Sequence, residues 1–360
     1  MLNAYLFGQS SASRTPETCR CYPALKRRAI FVQSASRTMK STFETKPRYC
    51  TMFIFLLLSV SGLAHARNPA PDRNRGHQQV ERTVAADPRV IVSACVASGN
   101  ITVHGWDRNE VHARISDGVQ IDLTRADQNK TQRATELKLT AQGRRSTRGS
   151  SCLPLGDVEL TVPRGASVKL QTSNGEISVT EIAGVTATSQ SGTITLEKVH
   201  GGVELSTIGG EISVRNSTGT FKLHTVGGSV DARDLGPANA GDSLEAGSVG
   251  GDVTLYRIQH QRLKLNTVGG DVTYAGPLSR GGHYSFQTIS GQVRLLLPAN
   301  SSFRVKGTLG VGGELSGDFN IAVEKASNYN PMRSVDAIVG KGDASIDVNV
   351  FSGEIQIRKQ

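Results

Sequence analysis

Over residues 165–297, apolar and polar side chains alternate with a period of two, and a short glycine phrase interrupts the alternation at regular intervals. The phrases read TSNGEI at Thr172, SQSGTI at Ser189, TIGGEI at Thr207, TVGGSV at Thr225, SVGGDV at Ser248, TVGGDV at Thr267 and TISGQV at Thr288. Their fourth residue is always glycine: Gly175, Gly192, Gly210, Gly228, Gly251, Gly270 and Gly291. Two residues after this marker stand Ile177, Ile194, Ile212, Val230, Val253, Val272 and Val293, and a second apolar position follows two residues later. Upstream, pairs such as Val168 and Leu170, Phe221 and Leu223, or Leu263 and Leu265 keep the same parity. A period of two marks a strand with one buried face. Each repeat therefore predicts strand, tight glycine turn, strand and a looser connection. The Ser or Thr three residues before the marker shares the inward parity and can bond the turn backbone, while glycine admits positive φ there.

Copies recurring every 17 to 23 residues point to a stacked repeat architecture. Two folds accommodate the pattern, a parallel β-solenoid or an antiparallel meander of hairpins. The outward row Glu204, Lys222, Glu245 and Lys264 favours the first. In a solenoid these equivalent positions are direct neighbours and form a ladder of alternating charge, each pair contributing about 0.2–1 kcal/mol. In a meander they are separated, and the alternation has no role. The expected fold class is all-β, a parallel β-solenoid of about seven repeats with irregular β caps at both ends.

The flanks change the picture in two ways. The chain carries a formal charge of +10, but residues 1–66 hold nine Lys and Arg against two acids, leaving 32 against 29 in the remainder. A nucleic-acid partner loses its support, and none is expected. Within residues 39–66, Lys40, Lys46 and Arg48 form a basic region, Met52 to Val60 an apolar core, and Ala64-His65-Ala66 a small-x-small site. This is the build of a secretory signal peptide, with cleavage expected after Ala66. The apolar run is too short to span a bilayer as a mature helix, so the cleaved chain is not expected to be membrane-spanning. Residues 1–38 would place the signal far from the start and read as a start-site artefact, with Met39 the true beginning. Residues 67–89 read as a polar linker, 90–164 as an N-terminal β cap region, 165–297 as the solenoid, and 298–360 as a C-terminal β cap region. Ser98-Gly99 and the closing VFSGEIQI are weaker instances of the phrase inside the two cap regions.

Cys95 and Cys152 are the two cysteines beyond the leader. Export to an oxidising compartment predicts a disulfide between them. Between the two, Arg144, Arg145 and Arg148 stand in a Gly/Ser-rich stretch that reads as a solvated loop.

VPRGASVKLQTSNGEISV, the SG and GG phrases, and ASIDVNVFSGEIQI together resemble the bacterial putative-adhesin β-strand-repeat family, an exported domain of unknown function. SGNITVHGWDRNEV is similar to that family's first hairpin, and the resemblance covers roughly residues 90 to 357. It implies a solenoid-like fold and an envelope location, and it supplies no catalytic residues.

Candidate chemistry is sparse. The position after each marker carries Glu176, Thr193, Glu211, Ser229, Asp252, Asp271 and Gln292. Asp252 and Asp271 on neighbouring repeats, with Glu176 and Glu211 flanking Thr193, offer a place for a calcium or sugar site, against the plainer reading that carboxylates and hydroxyls solvate strand starts. The histidines have no metal-ligand spacing, and no nucleophile elbow, P-loop or dinucleotide fingerprint occurs. No cofactor and no metal are expected. The function expected is an exported, non-enzymatic adhesin-like or scaffold protein, in the periplasm or at the cell surface, offering a repetitive β surface to a protein or polysaccharide, with self-association open to it. The alternatives are a polysaccharide lyase-like enzyme and an envelope-stress sensor or assembly factor.

Overall fold

The computed structural model describes residues 79–116, 119–127, 133–141, 152–311, 313–321 and 332–360, all within the second of two units, Pro69–Gln360. The expected signal peptide with its cleavage point after Ala66, residues 67–78 of the linker, and the Arg144–Arg148 loop lie outside the described residues. Residues 80–89 are not linker but the start of the strand Val80–Ser98, with Val80–Ala85 paired antiparallel to Glu110–Ile115.

The described residues form 24 strands and no helix. In the regular array the chain runs through Ser167–Asn174, turns at Gly175, continues through Ile177–Thr180, turns again, and enters Gly184–Ser191 directly beside its starting strand. The row Ile177, Ile194, Ile212, Val230, Val253, Val272 and Val293 pairs in unbroken parallel succession. All seven are buried, in one continuous hydrophobic cluster that also takes in the upstream rows. A parallel solenoid is the only one of the two expected folds compatible with this pairing. The outward charge row falls in register as well, Glu204 beside Lys222, Lys222 beside Glu245, and Glu245 beside Lys264. Lys264 and Glu245 close to 3.2 Å.

The solenoid does not stop at residues 165 and 297. Ile91–Ser98 and Ile101–His104 lie parallel to the first regular coil, and Val158–Pro163 lies parallel on the far side of Ile101–Trp106. At the other end Ala344–Ser352 and Glu354–Lys359 lie parallel to the last regular coil, with Phe303–Leu309 and Glu314–Gly317 beyond them. At both ends the coil nearest the terminus in sequence is thus inserted between the array and a coil that comes from further inside the chain. Only the excursions from it are irregular. Antiparallel strands close the stack: Glu110–Ile115 and Ile121–Arg125 at one end, Arg333–Val339 at the other. These strands cover the coil edges as atypical caps that break the repeat at each end.

Candidate functional site: the glycine corner and the outer faces

The marker glycines form a single column. A Cβ placed on any of Gly99, Gly175, Gly192, Gly210, Gly228, Gly251, Gly270, Gly291 or Gly353 would come within 1.8–2.4 Å of the carbonyl oxygen of the glycine one coil away. Gly156 ends the column, its carbonyl meeting Gly99. Close backbone approach is therefore what demands glycine throughout. Positive φ, the reason the sequence offered, holds at only three of the seven expected positions: Gly175, Gly192 and Gly291, at 144° to 147°. Gly210, Gly228, Gly251 and Gly270, in the double-glycine turns, do not have it.

The two turn types use the buried hydroxyl differently. In double-glycine turns it bridges the corner along the stack. Thr225 Oγ1 accepts from the Gly228 N–H at 3.2 Å and donates to the Gly210 carbonyl at 3.0 Å. Ser248 does the same between Gly251 at 2.9 Å and Gly228 at 2.8 Å. In single-glycine turns the marker N–H goes instead to the next coil's backbone, as from Gly175 to Ser191 and from Gly291 to Ser352. The hydroxyls of Ser189 and Thr288 are then buried without a partner among the described residues.

The two aspartates after the markers are spent within the fold. Asp252 Oδ1 accepts from the backbone N–H of Asp271, and Asp271 Oδ1 accepts from that of Gln292, each at 2.8 Å. Asp157 and Asn100 repeat the device at the other end, Asp157 receiving the Asn100 N–H and Asn100 that of Glu176. Asp252 and Asp271 thus cap strand starts across coils. No group of three or more metal-ligating side chains occurs among the described residues.

A second corner escaped the sequence reading. Glu181, Lys198, Asn216, Asp234 and Arg257 hold left-handed φ of 50° to 57° in successive coils. Such a conformation costs a non-glycine residue about 1 kcal/mol or more. Each is followed by a buried residue, Ile182, Val199, Ser217, Leu235 and Ile258, which turns the core row through the bend. Their charges pair along the stack, with Lys198 at 3.5 Å from Glu181 and Arg257 forked onto Asp234. That fork holds the Asp234 carboxylate below its ordinary pKa. A recurring polar residue just before an apolar one was the available signal.

Cys95 and Cys152 are brought together as a bonded pair with Cα atoms 4.5 Å apart. Backbone bonds between Cys95 and Leu153 and between Leu153 and Ala97 flank them, so the pair anchors the return from the N-terminal excursion.

Two shallow depressions lie on the outer face of the first strand row. One, of about 300 Å³, is lined by Ser93, Lys138, Lys169, Gln171, Thr186 and Thr188. The other, of about 330 Å³, includes Glu245, Lys264, Arg262, His283, Ser285 and Asp347. Its two carboxylates, Glu245 and Asp347, are three strand steps apart through Lys264 and Ser285. At strand spacing that is roughly 14 Å along the stack, wider than the roughly 5–9.5 Å of paired catalytic carboxylates in glycoside hydrolysis. The buried polar groups are structural. His260 Nε2 donates to the Gly219 carbonyl at 2.7 Å, its ring edge-on to Phe221. Burial holds the imidazole below its ordinary pKa, partly offset by the Gly219 carbonyl. Burial also raises the Tyr274 phenol, which donates to the Pro277 carbonyl at 2.7 Å.

Comparison with known proteins adds the family. No curated protein matches the chain. Among solved structures, a "putative cell adhesion protein" from Clostridium sporogenes matches with 14% identity, over 79% of this chain and 100% of that one, at a TM-score of 0.25. The family model described as Toastrack DUF4097 matches residues 91–358, which is most of the chain and takes in every coil of the solenoid from Ile91 onward. The protein belongs to the Toastrack DUF4097 family.

Proposed function

We propose that this protein is an exported, non-enzymatic scaffold or adhesion protein that engages a polymer or protein partner through many weak contacts spread along its outer faces. The observation that carries the reading is the register of those faces. The half-buried row Ser178, Thr195, Asp231, Thr254 and Thr273, interrupted by the buried Ser213, repeats at the strand spacing, beside the charged row on the other strand set. Depressions on these faces are shallow and lined by hydroxyl, amide and charged groups, which suits a repeating ligand better than one small substrate. Export rests on the signal-peptide pattern ending at Ala66 and accords with the paired cysteines, since disulfides persist in oxidising compartments.

Protease shaving of intact producing cells, followed by crosslinking in place, tests this reading. Cleavage of the protein on intact cells, with wall polymer or a host surface molecule crosslinked to the strand faces, supports adhesion. Full protection together with crosslinks to a membrane regulator would contradict adhesion and favour an envelope sensor. Turnover of a polysaccharide, abolished by removing Glu245 or Asp347, would overturn the non-enzymatic reading.

A further inference from the structure

The first glycine of each double-glycine turn has no explanation within a single chain. Gly209, Gly227, Gly250 and Gly269 lack left-handed φ. A Cβ on any of them would meet one carbonyl oxygen at 3.5–3.6 Å, an ordinary contact. A Cβ is therefore accommodated, yet from Gly209 to Ser352 this column carries only glycine or serine. It forms a strip of bare backbone along the corner.

Beside the strip runs a ridge. Ile208, Val226, Val249, Val268, Ile289 and Phe351 occupy one column in six adjacent coils and are 44–58% exposed. Backbone bonds from Gly227 to Ile208, Gly250 to Val226, Gly269 to Val249 and Ser290 to Val268 fix their spacing. The fold does not require apolar groups here. The same column carries Ala97, Ser173 and Gln190 in the preceding coils, and threonine serves an exposed strand position as well as valine.

We propose that the ridge and strip form the contact surface of a homodimer, with the ridge of one copy lying in the glycine strip of the other. A two-fold axis parallel to the solenoid axis performs this exchange, because it reverses the lateral order of columns and keeps coil facing coil. Identical coils then match along the whole contact, even though repeat lengths vary, which no unrelated partner would do. Charge agrees. Reversing the order with coil facing coil sets Glu211, Asp252 and Asp271 of one copy opposite Ser206, Gly247 and Asn266 of the other, so no acid meets an acid. The six ridge residues expose on the order of 600 Å² per copy, at the top of the range for the largest patch on a monomer. The roughly 1,200 Å² total is at the lower limit for a specific interface. Such a contact is isologous and closes at two copies. It rests on geometry alone and holds whether or not the adhesion reading does.

Sedimentation velocity of the full chain across a concentration series tests it. The wild type is expected to convert from monomer to dimer with rising concentration. Val249→Glu on the ridge and Gly250→Leu in the strip should each weaken that conversion at least tenfold with unchanged far-UV circular dichroism. Gln190→Glu, in the polar part of the same column, should leave it unaltered. Should Val249→Glu disturb the fold, the double variant Val226→Thr/Val249→Thr takes its place with the same expectation. A chain that stays monomeric at every soluble concentration, a dimer that survives both variants, or growth past two copies would overturn the proposal. So would a monomer whose ridge binds neutral phosphatidylcholine vesicles.

Discussion

Adjacent glycines in one turn should respond oppositely to the same substitution, and Gly250 and Gly251 make the contrast. At Gly251 a methyl group would stand 2.1 Å from the Gly228 carbonyl oxygen, against backbone and not a flexible side chain. Restoring ordinary contact requires the coils to part by more than 1 Å at a spacing of about 4.8 Å. Overpacking of this kind costs about 1–3 kcal/mol. The flanking backbone bonds that lengthen with it add about 1 kcal/mol each. Gly251→Ala should therefore lose about 3 kcal/mol or more. At Gly250 the methyl meets only the Val226 carbonyl at 3.6 Å, and the unfolded chain loses freedom, a gain of about 0.4–1 kcal/mol. Urea midpoints of the two variants, followed by far-UV circular dichroism at low protein concentration, should bracket the wild type. Equal losses at both positions, or a neutral Gly251→Ala, would refute the glycine-column argument.

Other expectations follow from single contacts. Lys264→Glu should lower stability by about 0.5 kcal/mol, the scale of an exposed pair, and adding Glu245→Lys should restore part of it in a double-mutant cycle. Because burial depresses the His260 pKa, the unfolded chain binds a proton that the native chain refuses. This contribution is complete above about pH 6.5 and is lost as pH falls below that value. Melting temperature against pH should show the fall, and His260→Gln should flatten it. Asp336, held below its ordinary pKa by the Arg304 guanidinium, and Asp318, held by the Lys359 N–H, add a second loss at lower pH, as each carboxylate protonates. Cys152→Ser should cost about 4 kcal/mol for a closed loop of this length.

Much of the fold was legible because the solenoid writes itself in local sequence. Buried rows such as Ile177 to Val293 repeat with the coil, and the alternation Glu204, Lys222, Glu245, Lys264 carries the register. The ends were harder for a topological reason. Gly99 and Gly353 belong to the same column as the markers, but excursions of some fifty residues separate their coils from their spatial neighbours, and sequence periodicity does not reveal insertion. The glycine requirement was also misread in part. Conformational freedom and close approach both select glycine, and only the packing of Gly210 against Gly192 distinguishes them. At the candidate site, Asp252 and Asp271 gave no hint in sequence that each accepts the next coil's backbone N–H. The exposed column from Ile208 to Phe351 is present in the phrase itself, yet its exposure depends on which side of the corner it occupies.

The most direct test of the account is the intact mass of the protein isolated from the exported fraction of its own cells. The chain expected begins at Arg67, and its two cysteines, Cys95 and Cys152, lack both thiol hydrogens. A cytoplasmic chain that retains its leader, with both thiols free on denaturation, would contradict it.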